Sequence, residues 1–338
     1  MKVSFLVTYY NQEQYVRQSM DSIIAINKPS EWEILVGDDG SSDETVNIVS
    51  EYISRYPENI KLYIMPRDKN LQYDSVKRAS ANRINLLEHC TGDCFCTLDG
   101  DDFFCDREFI KTAISVFDEN PDISLVSFGY RYYRDGNLEE ERLLPAGISD
   151  RVDTKYYIRN LYLHAGACVH RILWDESRVR YIKEIGYFDD NDIVINSLNY
   201  GQMYHVRQSI YAYRQTGESV YTSMSAIEQA LLNVLGFDVD KQLIDSKYYN
   251  DLCIRNSESI LTVFLYRRRI SELLGERKFE IYRNNSAIIM DSLCASLINY
   301  KTIDRKEKKI VKHIISRILF KKKGNLKIIM KFFLGGSK

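Results

Sequence analysis

The sequence has few of the residues that break regular structure or build disulfide frameworks. It has 5 prolines and 16 glycines among 338 residues, which excludes collagen-like and proline-rich low-complexity chains. Its 7 cysteines are odd in number and widely spread, so we expect reduced thiols. No stretch reaches the roughly 18 consecutive apolar residues that a membrane-spanning helix needs. The opening MKVSFLVTYY turns polar too early for a signal peptide.

Several motifs with defined chemistry are also missing. The sequence has no GxGxxG for a dinucleotide and no GxxxxGK[ST] for a P-loop. Its clustered cysteines lack the paired CxxC spacing that is typical of tetrahedral zinc. Cys94 and Cys96 alternate in DCFCTLD, so we expect both on one face of a strand as buried small hydrophobes.

Charge is nearly balanced overall but unevenly distributed. Lys and Arg number 46 and Asp and Glu 47, a net charge of −1, so no global basic field favours a nucleic-acid partner. Residues 301–338 hold 13 basic and 2 acidic side chains, a local charge of +11 that leaves −12 on residues 1–300. The chain therefore combines an acidic body with a basic tail.

What the sequence does contain is an alternation of strand and helix patterns over its first hundred residues. The apolar spacing predicts four strands, Val3–Thr8, Glu33–Val36, Lys61–Met65 and Cys94–Leu98, and three helices, Gln12–Ile26, Thr45–Tyr56 and Ser75–His89. Such alternation predicts an α/β fold in which helices cover both faces of a parallel sheet. Ligands are then expected beyond the carboxyl ends of the strands.

Three polar loops follow strands of this predicted sheet, at 8–11, 38–41 and 99–102. They carry five aspartates, Asp38, Asp39, Asp99, Asp101 and Asp102. These carboxylates would repel one another unless a cation or hydrogen-bond donors lay between them. Oxygen ligands select Mg²⁺ or Mn²⁺, often together with substrate phosphates. The loops therefore predict a divalent-metal and phosphate site.

Three segments, VTYYNQEQYVRQSMDSI, EILVGDDGSSDET and CTGDCFCTLDGDDFF, resemble signatures of family 2 glycosyltransferases and together cover residues 3–104. The resemblance implies a GT-A fold, a nucleotide-sugar donor and inversion at the anomeric carbon. It further implies roles for seven residues: Thr8, Tyr10 and Asp39 at the nucleotide, Asp38 supporting its loop, Asp99 near ribose or donor sugar, Asp101 as main ligand of Mn²⁺ or Mg²⁺, and Asp102 as second candidate ligand.

The donor diphosphate also needs positively charged side chains. By its spacing to Gly92, Arg83 matches the arginine that family members place before the metal-binding strand, and Arg78 is the alternative. A solvated helix face is the competing interpretation for either residue. Arg214 lies in YAYRQTGES, which resembles a segment that closes many such domains, and could reach the diphosphate or lock the loop.

The catalytic base is sought in the second half of the chain. YFDDNDI resembles the family's Glu-Asp-x-Asp-Leu segment and puts Asp190 at the position of the base, with Asp192 as the alternative. A carboxylate within ~3 Å of a sugar hydroxyl can accept its proton during attack. Asp189 or Asp192 could instead cap the helix predicted over 192–200. His164 is either an acceptor contact or a structural histidine.

These patterns predict two domains and one activity. Residues 1–225 form a GT-A domain with a nucleotide-binding half, 1–105, and an acceptor half, 106–225, and residues 226–338 form a helical appendage. We expect non-processive transfer of one sugar, from a UDP-sugar by resemblance, to a glycan or lipid-linked acceptor in cell-surface polysaccharide synthesis. The alternatives are a sugar nucleotidyltransferase and a noncatalytic nucleotide-sugar-binding scaffold.

The basic tail has the pattern of a surface-binding helix. Apolar residues recur on one helical face within 309–331, next to a Lys321–Lys323 run and the aromatic pair Phe332 and Phe333. This pattern is typical of binding in the plane of an anionic membrane. Contact through 304–334 would put a cytoplasmic protein on the inner face of the plasma membrane. A helix packed on the protein with solvated lysines is the alternative.

Deletion of residues 304–338 tests the tail. The full chain should float with liposomes that contain anionic lipid, and the truncated chain should stay in the dense fraction, because the deletion removes most of the +11 charge. Liposomes of neutral lipid are the control. Undiminished flotation of the truncated chain would refute the membrane contact.

Overall fold

The computed structural model describes residues 1–68, 70, 74–172, 176–216, 224–266 and 272. The chain divides into two compact units, Met1–Ser223 with Gln242–Ile244, and Met224–Lys241 with Asp245–Lys338. The functional division predicted between residues 225 and 226 stays a prediction. The predicted membrane contact at 304–334 and the 217–219 end of the YAYRQTGES segment lie outside the described residues.

The first unit contains ten strands, seven α-helices and a short 3-10 helix at Ala165–Ala167 among its described residues. The strands are β1 (Val3–Tyr9), β2 (Trp32–Asp38), β3 (Ile60–Ile64), β4 (Cys94–Asp99), β5 (Phe103–Phe104), β6 (Ile123–Arg134), β7 (Asn137–Arg142), β8 (Arg151–Val152), β9 (Cys168–Arg171) and β10 (Gln202–Arg214). The helices are α1 (Glu13–Ile24), α2 (Thr45–Arg55), α3 (Ser75–His89), α4 (Phe109–Glu119), α5 (Thr154–Asn160), α6 (Glu176–Ile185) and α7 (Asp190–Leu198). The predicted elements of the first hundred residues are all present, and their ends differ by two residues at most.

All ten strands belong to one sheet. Its main order is β3-β2-β1-β4-β9-β6-β10-β5, with β7 added on β6 and β8 on β10. The first four strands are parallel, as predicted. Beyond β4 the sheet is mixed, because β9 is antiparallel to both β4 and β6 and β5 is antiparallel to β10. The α/β prediction is confirmed, but an all-parallel sheet describes only its first half.

The core lies on both faces of the sheet because strand residues alternate in direction. On β1, Val3, Phe5 and Val7 are fully buried in a cluster with residues of α1, α2 and α4. Leu6 and Thr8 point the other way and line a small pocket with residues of α3 and α7. Helices α3 and α7 therefore pack on the second face of the sheet, near the carboxyl end of β1.

The second unit is helical in its described part. Its helices are α8 (Ala226–Leu243), whose last two residues count with the first unit, a 3-10 helix at Ser246–Tyr248, α9 (Tyr249–Arg255) and α10 (Ser257–Tyr266). These helices confirm the predicted helical region as far as residue 266. The amide of Asn233 on α8 donates to the hydroxyl of Ser259 on α10 at 3.0 Å. In the part of the chain that the structure covers, no helix is both long and apolar enough to cross a bilayer.

Two buried histidines hold the second half of the sheet together. His205 on β10 makes a 2.9 Å hydrogen bond through Nδ1 with the hydroxyl of Ser127 on β6, and its Nε2 accepts from the Leu144 amide at 3.3 Å. The side chain of His170 on β9 contacts the Ser197 hydroxyl at 2.8 Å. Burial lowers the pKa of His205 to about 4 and that of His170 to about 3. Both are therefore neutral at pH 7.

Acidification should destabilise the first unit through His205. Its pKa is lower in the folded chain than the ordinary ~6.5 of the unfolded chain, so its stabilising contribution is complete above pH 6.5 and decreases as the pH falls toward 4. The free energy of unfolding of the parent chain should exceed that of His205→Gln at pH 7.5. By pH 5 this difference should shrink by about 2 kcal/mol, at 1.36 kcal/mol per pH unit. Urea unfolding at both pH values measures it.

His89→Gln is the matched control, because His89 is exposed on α3. Its difference from the parent chain should be the same at pH 7.5 and pH 5. A constant difference for His205→Gln as well would contradict the prediction.

Candidate active site

The three predicted polar loops meet at one edge of the sheet. In the strand register Thr8 lies between Gly37 of β2 and Asp99 of β4. The Asp39 amide donates to the Tyr9 carbonyl at 2.9 Å, and the Gly100 amide donates to the Thr8 carbonyl at 3.0 Å. The loops that carry Asp39 and Asp101 are therefore both bonded to the end of β1.

Two glycines allow this close approach. Gly40 has φ +74°, a left-handed conformation that disfavours side chains, and a Cβ there would lie 2.9 Å from the Met65 carbonyl oxygen. A Cβ on Gly100 would lie 2.1 Å from the ring of Tyr9. The glycines of DDGS and DGDD are thus required by backbone shape and close packing.

Asp38 shapes its own loop. Its carboxylate accepts from the Ser41 amide at 2.8 Å and from the Ser41 hydroxyl at 2.6 Å, and it is 1% exposed. The loop after β1 is bonded to the Asp38 loop, because Asn11 Oδ1 accepts a hydrogen bond from the Ser42 amide at 2.8 Å. These contacts agree with the supporting position expected for Asp38.

Asp39 is buried between two arginines at the β2 side of the edge. Its carboxylate forms ion pairs with Arg67 and Arg78. The Arg67 guanidinium also lies 4.0 Å from the centroid of the Tyr10 ring, which is exposed. Arg78, the alternative diphosphate ligand, therefore lies at the Asp39 end of the site, and Tyr10 lies beside it.

Arg67 is a site residue that the sequence patterns did not predict. Its position is the signal that could have found it, since it follows β3 by three residues at the same sheet edge as the other loops. The two arginines predicted for the diphosphate, Arg83 and Arg78, both lie later in the chain, on α3.

Arg83 connects the sheet edge to α7. Its guanidinium lies 3.1 Å from a carboxylate oxygen of Asp190 and 3.8 Å from one of Asp99. Burial opposes the charge of Arg83, but Asp190 and Asp99 outweigh it and raise the pKa of the guanidinium. Burial and then the carboxylate of Asp190 raise the pKa of Asp99, while Arg83 opposes that shift. Thr8 completes the group, with its hydroxyl 3.4 Å from Asp99.

The segment before α7 explains which aspartate is available. Asp189 caps the helix and forms a capping box with Asp192, whose carboxylate accepts from the Asp189 amide at 2.7 Å. The helix therefore begins at Asp190, two residues earlier than predicted. Asp192 is fully buried in this cap, whereas the Asp190 side chain is 38% exposed. Asp189 and Asp192, the two residues predicted as possible caps, therefore both take part in the cap. Of the three aspartates, Asp190 is the one that faces the rim and pairs with Arg83.

The two later aspartates of DGDD differ in their surroundings. Asp102 is 1% exposed and accepts 2.7 Å hydrogen bonds from the Tyr211 hydroxyl and the Arg214 amide. Burial, then the carboxylates of Asp101 and Asp99, raise the pKa of Asp102 to about 9. Burial and the Asp99 carboxylate raise the pKa of Asp101 to about 6. Asp102 thus anchors β10 to the loop, while Asp101 remains at the rim.

Arg214 holds the same loop from the other side of β10. Its guanidinium donates to the Asp101 carbonyl at 2.6 Å and to the Gln18 side chain at 2.6 Å, and lies 4.7 Å from the centroids of the Tyr15 and Tyr133 rings. Through these contacts Arg214 fixes the loop that carries Asp101, which is one of the two roles predicted for it. The other predicted role, contact with the donor diphosphate, stays a prediction.

The residues at the rim fit a hard divalent cation. Among the described residues no group of three or more His, Cys, Asp or Glu side chains could hold a metal by itself. Asp99 and Asp101 nevertheless supply carboxylate oxygens. Burial and the Asp190 carboxylate raise the pKa of Asp99, and burial and the Asp99 carboxylate raise that of Asp101. Mg²⁺ and Mn²⁺ need only one or two such ligands when phosphate oxygens supply others. The donor set therefore suits a cation that arrives with a nucleotide.

The fold has counterparts among solved structures. The crystal structure of TarS 1–349 from S. aureus matches with a TM-score of 0.58 at 16% identity, over 94% of this chain and 87% of that chain. TarS 1–349 in complex with UDP-GlcNAc matches with a TM-score of 0.57, also at 16% identity, over 92% and 84%. The chain has the GT-A fold that its sequence predicts.

The sequence comparison defines the family. The model of glycosyl transferase family 2 matches residues 4–174, half of the chain. The chain belongs to this family and is a glycosyltransferase, which confirms the interpretation of its three signatures.

Individual relatives are distant. EpsE of Bacillus subtilis (strain 168) is 26% identical over 223 residues, which cover 64% of this chain and 74% of EpsE. An uncharacterized glycosyltransferase of Haemophilus influenzae is 24% identical over 348 residues, 98% of this chain and 96% of that protein. The minor teichoic acid biosynthesis protein GgaA of B. subtilis is 22% identical over 225 residues, and the chain spans 47% of it.

Removal of the Asp102 carboxylate should destabilise the first unit. Asp102→Ala leaves the buried Tyr211 hydroxyl and Arg214 amide without their acceptor, at roughly 1–3 kcal/mol for each unsatisfied group. We expect a loss of about 2–4 kcal/mol in the free energy of unfolding, measured by urea titration. The control Asp101→Ala should lose less than ~1 kcal/mol, since it removes a rim carboxylate. Equal losses would contradict the distinction between the two aspartates.

Proposed function

We propose that this glycosyltransferase transfers one sugar from a UDP-sugar to a hydroxyl of a glycan or lipid-linked acceptor, with metal assistance and inversion at the anomeric carbon. One observation carries the proposal: the Arg83 guanidinium lies 3.1 Å from the partly exposed carboxylate of Asp190 on α7 and 3.8 Å from that of Asp99 at the end of β4. Asp190 is thereby linked to the predicted donor loops. A base beside a nucleotide site is the arrangement that a single displacement needs.

The Asp39 end of the site suits a nucleoside. Asp39 is fixed by Arg67 and Arg78, and the exposed Tyr10 ring offers a flat surface beside them. A fixed carboxylate can accept hydrogen bonds from a base or ribose, and an aromatic ring can stack on a base. TarS, which shares the fold, has been crystallised with UDP and with UDP-GlcNAc, and this supports uridine as the nucleoside.

Asp101, with Asp99 beside it, is the residue we assign to Mn²⁺ or Mg²⁺. When bound, such a cation neutralises the negative charge that develops on the leaving diphosphate. Asp102 is a less suitable ligand, because both of its oxygens accept hydrogen bonds from β10. Family 2 membership and the hard carboxylate oxygens at the rim support this assignment.

Asp190 is the residue we assign as general base. As the acceptor oxygen attacks C1 of the donor sugar, its proton passes to the Asp190 carboxylate, and the C1–O bond to the diphosphate breaks with its electron pair on the leaving oxygen. General-base assistance of this kind contributes roughly 10²–10⁴-fold. Arg83 holds the Asp190 carboxylate through their 3.1 Å contact, and its predicted contact with the diphosphate belongs to the same proposal. One displacement on the face opposite the leaving group inverts the configuration.

The acceptor and the cellular location belong to the same proposal. The relative GgaA is named for minor teichoic acid biosynthesis, which supports a cell-surface polymer as the product class. A lipid-linked acceptor would be met at the cytoplasmic face of the plasma membrane, where the basic residues of 304–334 could contact anionic lipid. The family match favours sugar transfer over the nucleotidyltransferase alternative.

A thermal-shift screen tests donor and metal together. UDP-sugars should raise the unfolding temperature of the parent chain more in the presence of Mn²⁺ than in its absence, because ligand binding stabilises the folded state. Asp101→Asn should lose the Mn²⁺-dependent part of the shift. An equal shift with and without Mn²⁺ would contradict metal-assisted binding, and no shift with any nucleotide sugar would contradict the proposed donor class.

Asp190→Asn tests the base. The variant should bind the nucleotide sugar like the parent chain and transfer it at least about 100-fold more slowly, since the amide cannot accept the acceptor proton. Glu258→Gln is the control, because it removes an exposed carboxylate from the first turn of α10 and should leave transfer unchanged.

Transfer is measured as release of the nucleotide diphosphate that depends on acceptor. An unchanged rate in Asp190→Asn would remove Asp190 from the mechanism. Donor binding without any transfer by the parent chain would favour the noncatalytic scaffold.

A further inference from the structure

A cluster of aromatic rings lies on one face of the sheet where β6 and β10 run side by side. The register pairs Tyr211 with Tyr130 and Tyr213 with Tyr132, and side chains at alternate positions share a face. Ring centroids are 5.5 Å apart between Tyr130 and Tyr132, and 5.8 Å apart between Tyr132 and Tyr213. Tyr130, Tyr132 and Tyr213 are partly exposed, whereas Tyr211 is fully buried beside them, and we name these four residues the tyrosine face.

His164 packs against the tyrosine face. Its ring centroid lies 4.5 Å from that of Tyr211 and 4.7 Å from that of Tyr213. Burial lowers the pKa of the His164 imidazole, and the carboxylates of Asp190 and Asp99 oppose that shift. Nδ1 of His164 is buried and has no hydrogen-bond partner among the described residues, which costs free energy.

The tyrosine face is also bonded to the donor loop. The hydroxyl of Tyr211 donates to Asp102 at 2.7 Å, so the inner end of the face is fixed beside the rim. At the outer end the guanidinium of Arg142 lies 5.4 Å from the centroid of the Tyr132 ring, and its side chain is exposed. The tyrosine face therefore extends outward from Asp102, and its side chains change along this direction from fully buried at Tyr211 to partly exposed at Tyr132.

This combination matches the chemistry of a sugar ring. A pyranose has a flat face of C–H groups and a rim of hydroxyls. An aromatic surface with a few polar groups at its edges is therefore suited to bind it. Sites for small ligands have this composition in general, mainly apolar and aromatic with few placed polar groups. Tyr132 and Tyr213, each partly exposed, supply the rings, and His164 and Arg142 supply polar atoms at the two ends.

We infer that the tyrosine face, together with His164, binds the pyranose ring of the acceptor saccharide and directs one of its hydroxyls toward Asp190. The inference rests on the proposed function, because it assigns the acceptor class to that same site. It specifies a ring-shaped acceptor over an open-chain polyol, since a polyol has no flat apolar face to stack on tyrosine.

Saturation-transfer-difference NMR on the full chain tests the inference. The protein is held with UDP and Mg²⁺, which is diamagnetic, and is offered methyl β-D-glucopyranoside, methyl β-D-galactopyranoside and the corresponding N-acetylglucosaminide, with ribitol as the open-chain probe. At least one pyranoside should receive saturation on its ring protons, and ribitol should not. Tyr132→Ala should weaken that signal at least about fivefold, and Tyr132→Trp should retain it.

Tyr156→Ala is the matched control, because Tyr156 is a 40% exposed tyrosine on α5 outside the tyrosine face. It should leave the signal at the parent value. Equal signals in Tyr132→Ala and Tyr156→Ala, equal signals for ribitol and the pyranosides, or no signal for any pyranoside would each overturn the inference.

Donor binding separates failure of this inference from failure of the proposed function. Binding of the UDP-sugar, and its slow hydrolysis, should be the same in Tyr132→Ala and the parent chain if the tyrosine face serves the acceptor alone. Normal donor binding with an unchanged acceptor KM in Tyr132→Ala would overturn the inference and leave the proposed function intact. A parent chain that binds no nucleotide sugar would overturn both.

Discussion

The site depends on the balance between carboxylates and arginines at the carboxyl edge of the parallel strands. Parallel pairing brings Asp39, Asp99 and Asp101 to one edge, where their mutual repulsion opposes folding. Arginines offset part of this repulsion, with Arg67 and Arg78 on Asp39 and Arg83 between Asp99 and Asp190. Asp101 has no such partner among the ion pairs of the described residues, and this leaves it as the rim carboxylate most suited to a cation.

The same balance relates the donor end to the acceptor end. Arg83 has two carboxylates within 4 Å, one on the donor strand and one on α7. Its guanidinium therefore links Asp99 to Asp190, the residue proposed as the base. The two interpretations of this arginine from the sequence, a diphosphate ligand and a solvated helix residue, did not include a contact with Asp190.

Strand ends were the most predictable feature of the fold. Alternating apolar patterns located β1, β2 and β4 within two residues, and the polar residues after them were therefore assigned correctly to one edge. The orientation of β9 was not predictable, because the residues of a strand determine its faces and not its neighbours. Four residues, CVHR, carry too little pattern to show that β9 would enter the sheet between β4 and β6 in the opposite direction.

Side-chain roles within the site were less predictable than positions. DGDD showed that Asp101 and Asp102 lie at the edge, but their difference arises from Tyr211 and Arg214, more than a hundred residues later. In YFDDNDI the capping box decides which aspartate is exposed, and its geometry depends on where α7 begins. The family resemblance puts Asp190 at the position of the proposed base, whereas local pattern alone left Asp190 and Asp192 open.

The hydrogen bonds of Asp102 bear on whether the nucleotide-binding half can exist by itself. Tyr211 and Arg214 come from the last strand of the sheet, and β9 and β5 likewise interleave early and late parts of the chain. A fragment that stopped after residue 105 would expose the flank of β4 and would leave a buried acid without its donors. The predicted donor and acceptor halves thus share one sheet, and neither is a module that could be exchanged between enzymes by cutting at the loop after DGDD.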